Sequence, residues 1–403
     1  MSRIKILQLQ SSLGFFGAEN VIANLTLKLS HDYYPIIGVI DNCYNSRTEL
    51  HAFAQDHHID SVLFPCKSAI DLGTVRSLVN FIERNGIHIL HTHGYKSDFY
   101  AWLASKKTKV STIATCHPWL YSSWKGKLYA KTDSRILGSF DHLVAVSHTV
   151  LSDLQKCGLT NVSLIANGLD FSRFSKPFDP VQSRRCFQLP ADKTIIGTTG
   201  RLDIEKGHKF FIQAAQRVVQ KYPQTHFVIA GTGSLENELR ALIRHYRLDP
   251  YLTLAGFIDD IPKYLSALDI FVLPSLTEGS PMALLEAIAA KKAVIASRVG
   301  DIQHLIKHNR SGILVRPGNS DGLYNAMVEL IADPQKANRF AQCSYRDACD
   351  EYSAKNMANK YEQIYQMLMT IKADAVNEPI GFEQSSKTVQ FSEKNGQKRV
   401  AKK

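Results

Sequence analysis

Short apolar segments alternate with helical stretches along almost the whole chain, and this alternation constrains the fold more than any other feature. The predicted strands lie near residues 3–9, 35–40, 61–65, 87–91, 111–115, 142–146 and 162–166, and then near 194–199, 226–230, 252–255, 270–273, 293–297 and 312–316. Strands that are separated by helices indicate parallel sheets covered by helices on both faces. We therefore predict an α/β protein with two doubly wound parallel sheets.

The length of the chain is sufficient for two such domains. With 403 residues, it can form two units of about 150 to 170 residues, each with its own buried core. We predict a first domain at residues 1–172 and a second at 191–353, separated by a proline-interrupted linker at 173–190. Apolar residues recur on one face of a predicted helix at 354–372. Residues 373–403 lack this periodicity and are predicted to form a disordered basic tail.

Two glutamates that are eight positions apart follow the strand predicted at residues 270–273. Glu278 precedes a predicted helix, in which Pro281 suits the first helical position. Glu286 lies about five residues into that helix, roughly 8 Å further along its axis, so the two carboxylates can hold two parts of an extended polyhydroxylated ligand. Free N–H groups at the start of the helix also favour phosphate. The alternative is that Glu278 only offsets the helix dipole and that Glu286 is a solvated helix residue.

Two basic residues lie in the turn that follows the strand at 194–199. Arg201 offers a fork-shaped guanidinium and Lys206 a compact ammonium, and this combination suits a diphosphate. The alternative is an exposed pair of cations partnered by Asp203 and Glu205. The chain has no Asp-x-Asp motif and no Cys/His group with zinc spacing, so we predict a diphosphate site without a metal ion or cofactor.

The order of these motifs resembles that of the retaining glycosyltransferases of family 4, the glycosyl transferases group 1, which have the GT-B fold. The resemblance covers about residues 3–370 and is strongest over residues 200–317. It implies two Rossmann-like domains that face an interdomain cleft, with the helix at 354–372 crossing back to the first domain. It also implies transfer of a sugar from a nucleoside diphosphate-sugar to an acceptor hydroxyl, with retention of the anomeric configuration.

The resemblance assigns a role to individual side chains. It implies that Arg201 and Lys206 hold the donor diphosphate. Glu278 would contact the transferred sugar, and Glu286 would bind the ribose hydroxyls. His117 would contact the sugar near the reacting carbon, the alternative being a hydrogen-bonded histidine at the end of a strand. The residues expected to act in catalysis are therefore Glu278, His117, Arg201 and Lys206.

Further residues are expected to line the donor site. Gly17 lies in a segment that resembles the family's Gly-Gly-Ala-Glu loop, although Phe16 replaces the first glycine. Gly231 follows the strand predicted at 226–230, where the geometry of a tight turn explains a glycine equally well. The remaining expected donor contacts are Phe257, Gly279, Ser280, Pro281 and Met282.

The segment at residues 299–304 departs from the family pattern. Relatives usually have Gly-Gly-Ile-Pro-Glu here, whereas this chain has Val-Gly-Asp-Ile-Gln-His. Asp301 and His304 replace a small residue and an acid beside the expected pocket. We therefore expect this segment to influence the choice of donor.

The net charge of +11 favours an anionic partner. Nucleic acid is disfavoured, because the basic and aromatic residues form no recognisable binding module. An anionic membrane surface is the stronger hypothesis, since aromatic and basic residues interleave directly after His117. The alternative is an ordinary helix that packs its aromatic residues inward. The interleaved residues are Trp119, Tyr121, Trp124, Lys125, Lys127, Tyr129, Lys131 and Arg135.

The sequence also favours a cytoplasmic location, with peripheral attachment at the inner face of the plasma membrane as a hypothesis. No apolar run reaches about 18 residues, the length of a membrane-spanning helix, and the start of the chain lacks the features of a signal peptide. The seven scattered cysteines indicate reduced thiols.

The predicted function is a glycosyltransferase that uses a nucleotide-sugar donor and a glycan or lipid-linked acceptor, in bacterial cell-surface polysaccharide or lipid-linked glycan synthesis. Two alternatives remain open. A nucleotide-sugar 2-epimerase of the same fold would bind the donor without an acceptor, and a non-catalytic subunit would bind it without turnover.

Overall fold

The computed structural model describes residues 3–11, 17–41, 49–68, 70–117 and 133–377. Each of the 13 predicted strands has a counterpart within these ranges. The strands are β1 (Ile4–Gln10), β2 (Tyr33–Asp41), β3 (Ser61–Pro65), β4 (Ile89–Thr92), β5 (Ser111–Cys116), β6 (His142–Ala145), β7 (Val162–Leu164), β8 (Thr194–Thr199), β9 (Thr225–Ala230), β10 (Leu252–Gly256), β11 (Ile270–Leu273), β12 (Ala293–Ser297) and β13 (Ile313–Val315).

These strands form two sheets, and all of the pairs between neighbours are parallel. The first sheet has the order β3-β2-β1-β4-β5-β6-β7, and the second has the order β10-β9-β8-β11-β12-β13. In the second sheet, for example, Ile270 of β11 lies opposite Ile196 of β8 on one side and Ala293 of β12 on the other. The prediction of two doubly wound parallel sheets is therefore confirmed.

The strands are apolar on both faces because helices cover both sides of each sheet. In β8, the neighbours Ile195 and Ile196 point to opposite faces, and both are fully buried. They belong to two separate apolar clusters, one on each side of the second sheet. A continuous apolar run is thus the expected pattern for a central strand of this kind.

The helices lie between the strands, and short polar side chains begin several of them. Ser147 and Asn319, for example, accept hydrogen bonds from the backbone N–H groups of Val150 and Gly322 at helix starts. Residues 133–137 are also helical. The other α-helices are Gly17–Lys28, Glu49–Asp56, Leu72–Asn85, Tyr95–Ser105, His148–Lys156, Pro180–Cys186, His208–Lys221, Glu236–His245, Ile261–Ala267, Met282–Ala289, Ile302–Leu305, Ser320–Ala332, Pro334–Ala348 and Ala354–Asn377.

The last helix packs on the first sheet, although it follows the second sheet in the chain. Its residues Tyr361 and Tyr365 are buried in one cluster with Ile6 and Ile89 of the first sheet. The helix continues to Asn377, past the predicted end at residue 372. Residues 378–403 of the predicted tail lie outside the described residues.

The segment predicted as a linker contains regular structure and packs on the second sheet. It includes the 3-10 turn Phe171–Phe174 and the helix Pro180–Cys186. Arg184 forms two hydrogen bonds, at 2.9 and 2.8 Å, with the carboxylate of Asp269 directly before β11. The proline at position 180 starts this helix instead of interrupting the segment.

Candidate active site

The predicted donor motifs lie at the point where the strand order of the second sheet reverses. Strands β8 and β11 are neighbours there, and the chain winds outward from them in opposite directions. In open α/β sheets, ligands bind beyond the carboxyl ends of such strands. Arg201 and Lys206 follow β8, and Glu278 follows β11. The two loops are joined by a 2.7 Å hydrogen bond from the Leu276 N–H to the Glu205 carbonyl.

Lys206 and Glu278 form the central polar contact of this site. The ammonium of Lys206 donates to Glu278 Oε1 at 2.7 Å, and the hydroxyl of Ser275 donates to the same oxygen at 2.7 Å. Only 8% of the Glu278 side chain is exposed. Glu278 is therefore not a free charge that merely offsets the helix dipole. Ser275 was not among the predicted site residues, and its position three residues before Glu278 is the signal in the sequence that could have identified it.

Arg201 has the local partners that the alternative interpretation proposed. Its guanidinium lies 3.0 Å from Asp203 and 4.0 Å from Glu205, and about half of it (55%) is exposed. The Arg201 carbonyl accepts a 3.1 Å hydrogen bond from His208 Nε2. Burial lowers the pKa of His208 to about 4, so its ring is neutral at pH 7. The loop is thus held through its backbone, and the Arg201 side chain is partly exposed next to Asp203 and Glu205.

Glu286 is a half-buried residue of the helix Met282–Ala289 and not a solvated one. Burial raises the pKa of its carboxyl group to about 7, and the nearby Arg173 acts in the opposite direction. Within the described ranges, no side chain or backbone group is hydrogen-bonded to this carboxyl group, so its oxygens can accept hydrogen bonds from ligand hydroxyl groups. Glu278 and Glu286 therefore occupy different environments on one strand–helix unit, and their binding of two parts of one ligand stays a prediction.

Pro281 lies one residue before the helix, whereas it was predicted to be the first helical residue. Its ψ of 95° is extended, and its carbonyl accepts the first helical hydrogen bonds from the N–H groups of Leu284 and Leu285, at 3.1 and 3.2 Å. This is the geometry of an N-cap residue. Pro281 is buried, and Gly279, Ser280 and Met282 beside it are partly buried.

Two glycines allow neighbouring loops to approach this turn closely. Gly231 has a φ of +139°, and a Cβ there would lie 1.9 Å from the Gly200 carbonyl oxygen. Gly300 has a φ of +50°, and a Cβ there would lie 2.1 Å from the Glu278 carbonyl oxygen. Only glycine fits such positions without displacement of the backbone. Tight packing is therefore sufficient to explain Gly231, the alternative that the sequence left open.

The remaining two donor-site predictions are Phe257 and Gly17. Phe257 directly follows β10 and is 66% exposed. Gly17 begins the helix Gly17–Lys28, and a Cβ at this position would meet no atom within 4 Å among the described residues. The loop before it, including Phe16, lies outside the described residues.

His117, which directly follows β5 of the first sheet, differs from His91 in its hydrogen bonding. Among the described residues, its Nε2 is buried and has no hydrogen-bond partner. Burial lowers the pKa of His117 to about 4, against an opposing effect of Glu19, so the ring is neutral at pH 7. His91, by contrast, is hydrogen-bonded at 2.8 Å to both Tyr365 and Thr115. The expectation of a satisfied structural histidine thus describes His91. In the described parts of the chain, His117 Nε2 and also His93 Nδ1 lack a hydrogen-bond partner, and contact of His117 with a sugar stays a prediction.

The residues of the membrane hypothesis from Trp119 to Lys131 lie outside the described residues, and Arg135 lies in the helical stretch 133–137. Within the described parts of the chain, every helix is either too short or too polar to cross a membrane.

Two family models match the chain, one for each sheet. The model described as "Glycosyltransferase Family 4" matches residues 16–173, and the model described as "Glycosyl transferases group 1" matches residues 193–333. Together with the two-sheet architecture, these matches show that the chain belongs to the glycosyltransferases with the GT-B fold.

Individual relatives agree with this assignment. The chain is 27% identical over 281 residues to the UDP-Gal:α-D-GlcNAc-diphosphoundecaprenol α-1,3-galactosyltransferase of Escherichia coli, which covers 65% of this chain and 71% of the relative. It is 26% identical over 265 residues to glycogen synthase of Mycobacterium tuberculosis, with 64% and 62% covered. The crystal structure of Anabaena Alr3699/HepE in complex with UDP-glucose has the same fold, with a TM-score of 0.77 and 22% identity over 91% of this chain and 99% of that one.

Proposed function

We propose that this protein transfers a sugar from a nucleoside diphosphate-sugar to an acceptor hydroxyl group, with retention of the anomeric configuration. The observation that supports this proposal best is the contact between Lys206 and Glu278 at the carboxyl ends of β8 and β11. It combines a cation for a leaving diphosphate with a carboxylate for sugar hydroxyl groups. The relatives reported above are transferases, which does not favour the epimerase or the non-catalytic alternative.

In the proposed reaction, the bond between the anomeric carbon and the diphosphate oxygen breaks, and its electron pair leaves with the diphosphate. The acceptor oxygen forms the new bond on the same face of the sugar. Its proton passes to the departing phosphate oxygen, so that the products are a glycoside and a nucleoside diphosphate. Lys206 and the solvent-facing Arg201 stabilise the charge that develops on the diphosphate, without a metal ion.

The other predicted residues have roles in binding. Glu286 accepts hydrogen bonds from the ribose hydroxyl groups, and Glu278 accepts them from the transferred sugar. The unpartnered Nε2 of His117 contacts the sugar from the first domain. The N–H groups of Gly279, Ser280 and Met282 bind the phosphate, while Pro281, which has no N–H, shapes the turn between them. Gly17, Gly231 and Phe257 complete the proposed donor site.

The donor to test first is a UDP-sugar, because a relative is named for UDP-galactose and a structural neighbour binds UDP-glucose. A lipid-linked or polysaccharide acceptor is proposed on the same basis, since the E. coli relative is named for a diphosphoundecaprenol acceptor. We also propose a cytoplasmic protein that attaches to the inner face of the plasma membrane. Absence of binding to anionic vesicles at low salt would contradict that attachment.

The test is to incubate the full chain with UDP-sugars and a lipid-linked acceptor in the presence of EDTA. We expect release of UDP together with a product whose anomeric proton shows, by NMR, the same configuration as the donor. An inverted product, or turnover that requires a divalent metal, would contradict the mechanism. Conversion of the donor to an epimer without acceptor would identify the protein as an epimerase.

A further inference from the structure

The segment that departs from the family pattern contacts the first domain. Asp301 precedes the helix Ile302–Leu305, beyond the carboxyl end of β12, and His148 begins the helix His148–Lys156 of the first sheet. The His148 backbone N–H lies 3.1 and 3.0 Å from the two carboxylate oxygens of Asp301, and His148 Nδ1 donates to Oδ2 at 3.0 Å. Only 15% of the Asp301 side chain is exposed. A single carboxylate thus holds both the start of a helix and a side chain from the other domain.

The same segment also contacts the donor site through its backbone. Gly300 lies against the Glu278 carbonyl oxygen, so closely that a Cβ there would be 2.1 Å from it. Glu278 is in turn held by Lys206 and Ser275. A continuous series of contacts therefore runs from the first domain through Asp301 and Gly300 to the turn that carries Glu278.

A metal ion is the other ligand chemistry that these side chains suggest. His148, Asp301 and His304 can each offer a ligand atom, and these atoms lie within 4.8 Å of one another. However, the two imidazole rings stack, with centroids 4.2 Å apart and an angle of 23° between their planes. The lone pair of an imidazole nitrogen lies in the plane of its ring, so one ion cannot lie in two stacked planes at bonding distance. The observed arrangement fits direct contact between the domains better than metal binding.

We propose that Asp301 and His148 form an interdomain clamp that positions the Glu278 turn when the two domains close. Asp301 acts in this proposal as a positioning residue, because both of its carboxylate oxygens are engaged by His148. The His304 ring stacks on the His148 ring, and 53% of the His148 side chain stays exposed, so the buried part of the contact is the Asp301 carboxylate. The first domain carries His117, so the clamp would place His117 and Glu278 in contact with the same sugar. This last consequence rests on the proposed function.

The first test measures the contact itself and needs no substrate. Hydrogen exchange of a peptide that covers residues 147–151 is compared for the wild type, Asp301→Ala and Asp301→Asn. We expect faster exchange in the alanine variant, because the His148 N–H loses its acceptor, and an intermediate rate with asparagine, which keeps one acceptor oxygen. Asp153→Asn is the matched control, since it breaks a 3.0 Å pair with Lys156 on the same helix but within one domain. Equal exchange in all four proteins would overturn the clamp.

The second test separates positioning from donor binding. The affinity of each full-length variant for UDP is measured by calorimetry, and kcat and the donor KM are measured with the UDP-sugar that the wild type uses. We expect Asp301→Ala to lower kcat roughly 10- to 100-fold, the scale of an angstrom-sized misplacement of reacting groups, while UDP affinity changes less than about threefold. An unchanged kcat, or a loss of UDP affinity that accounts for the whole defect, would overturn the positioning role.

The two proposals can fail separately. If the wild type transfers no sugar, the proposed function fails, and the exchange measurement still decides whether the clamp exists. If Lys206→Ala abolishes turnover while Asp301→Ala has the hydrogen exchange and the kcat of the wild type, the clamp proposal fails and the proposed function stands.

Discussion

Replacement of Lys206 by alanine is expected to lower both stability and turnover through the loss of one contact. The ammonium lies 2.7 Å from Glu278 Oε1, with 24% of the Lys206 and 8% of the Glu278 side chain exposed. An exposed ion pair contributes at most about 1 kcal/mol, whereas breaking a buried pair costs about 3–5 kcal/mol. Ser275 still donates to the carboxylate after the substitution. We therefore expect an intermediate loss of about 2 kcal/mol in the free energy of unfolding.

The double variant Lys206→Ala/Glu278→Gln separates the effect on stability from the effect on chemistry. Glutamine leaves no unpaired buried charge, so the double variant should regain most of the lost stability. It should not regain turnover, because the cation that stabilises the leaving diphosphate remains absent. In thermal unfolding, the single variant should melt roughly 4–8 °C lower than the wild type. Its kcat with a UDP-sugar should fall roughly 10²- to 10³-fold.

Arg240→Ala is the matched control for this experiment. It breaks a 2.8 Å ion pair with Glu236 in which 51% and 37% of the side chains are exposed. We expect the free energy of unfolding to change by less than about 0.5 kcal/mol, with no effect on turnover. The reasoning is refuted if Lys206→Ala melts like the wild type with full turnover. It is also refuted if the double variant is no more stable than the single one.

Three further predictions concern the rest of the site. Glu286 has a folded-state pKa of about 7, raised by burial from the ordinary value of 4.5; its contribution to stability is therefore most favourable below pH 4.5 and falls by roughly 3 kcal/mol as the pH rises to 7. Glu286→Gln should consequently be more stable than the wild type above pH 7 in chemical denaturation. The donor KM of the wild type should rise as the pH falls below 7. A KM that is independent of pH would contradict the binding of ribose by Glu286. His117→Asn should lower kcat/KM about tenfold or more with little change in melting temperature, since the Nε2 of His117 has no hydrogen-bond partner among the described residues. An unaltered kcat/KM would remove His117 from the site. Gly300→Ala should lower the free energy of unfolding by at least about 1–3 kcal/mol and reduce turnover, because its φ of +50° is combined with a contact to the Glu278 carbonyl. Gly86→Ala is the control: its φ is +60° in open space, so it should show strain without loss of turnover. Equal turnover in the two variants would contradict the role of the close approach.

The architecture and the order of the donor motifs could be predicted from local features of the sequence. The strands appear as continuous apolar runs, because helices bury both faces of each sheet. The donor motifs could be recognised from the types of residue in two loops, one after β8 and one after β11. Pro281 was misplaced by one residue, since proline fits both the N-cap and the first helical position and only ψ distinguishes them.

The environment of a polar residue could be predicted in this way only where its partners are close in sequence. His91 lies near the end of β4 and His117 directly follows β5. His91 is bonded to Tyr365 of the last helix, whereas His117 Nε2 has no partner among the described residues. The difference depends on a helix that begins more than 200 residues later in the chain. Arg201, in turn, has the local acidic partners that its sequence neighbourhood suggested.

The sequence by itself determined the parallel sheets and the loops that carry the functional side chains, because strand and helix formation depend on the local pattern of apolar residues. Only the tertiary structure decided which charges meet. Lys206 and Glu278 are 72 positions apart, and His148 and Asp301 are 153 positions apart. Contacts over such distances depend on the order of the strands in each sheet and on the way the two sheets face each other. These features arise from packing of the whole chain, and no short segment encodes them.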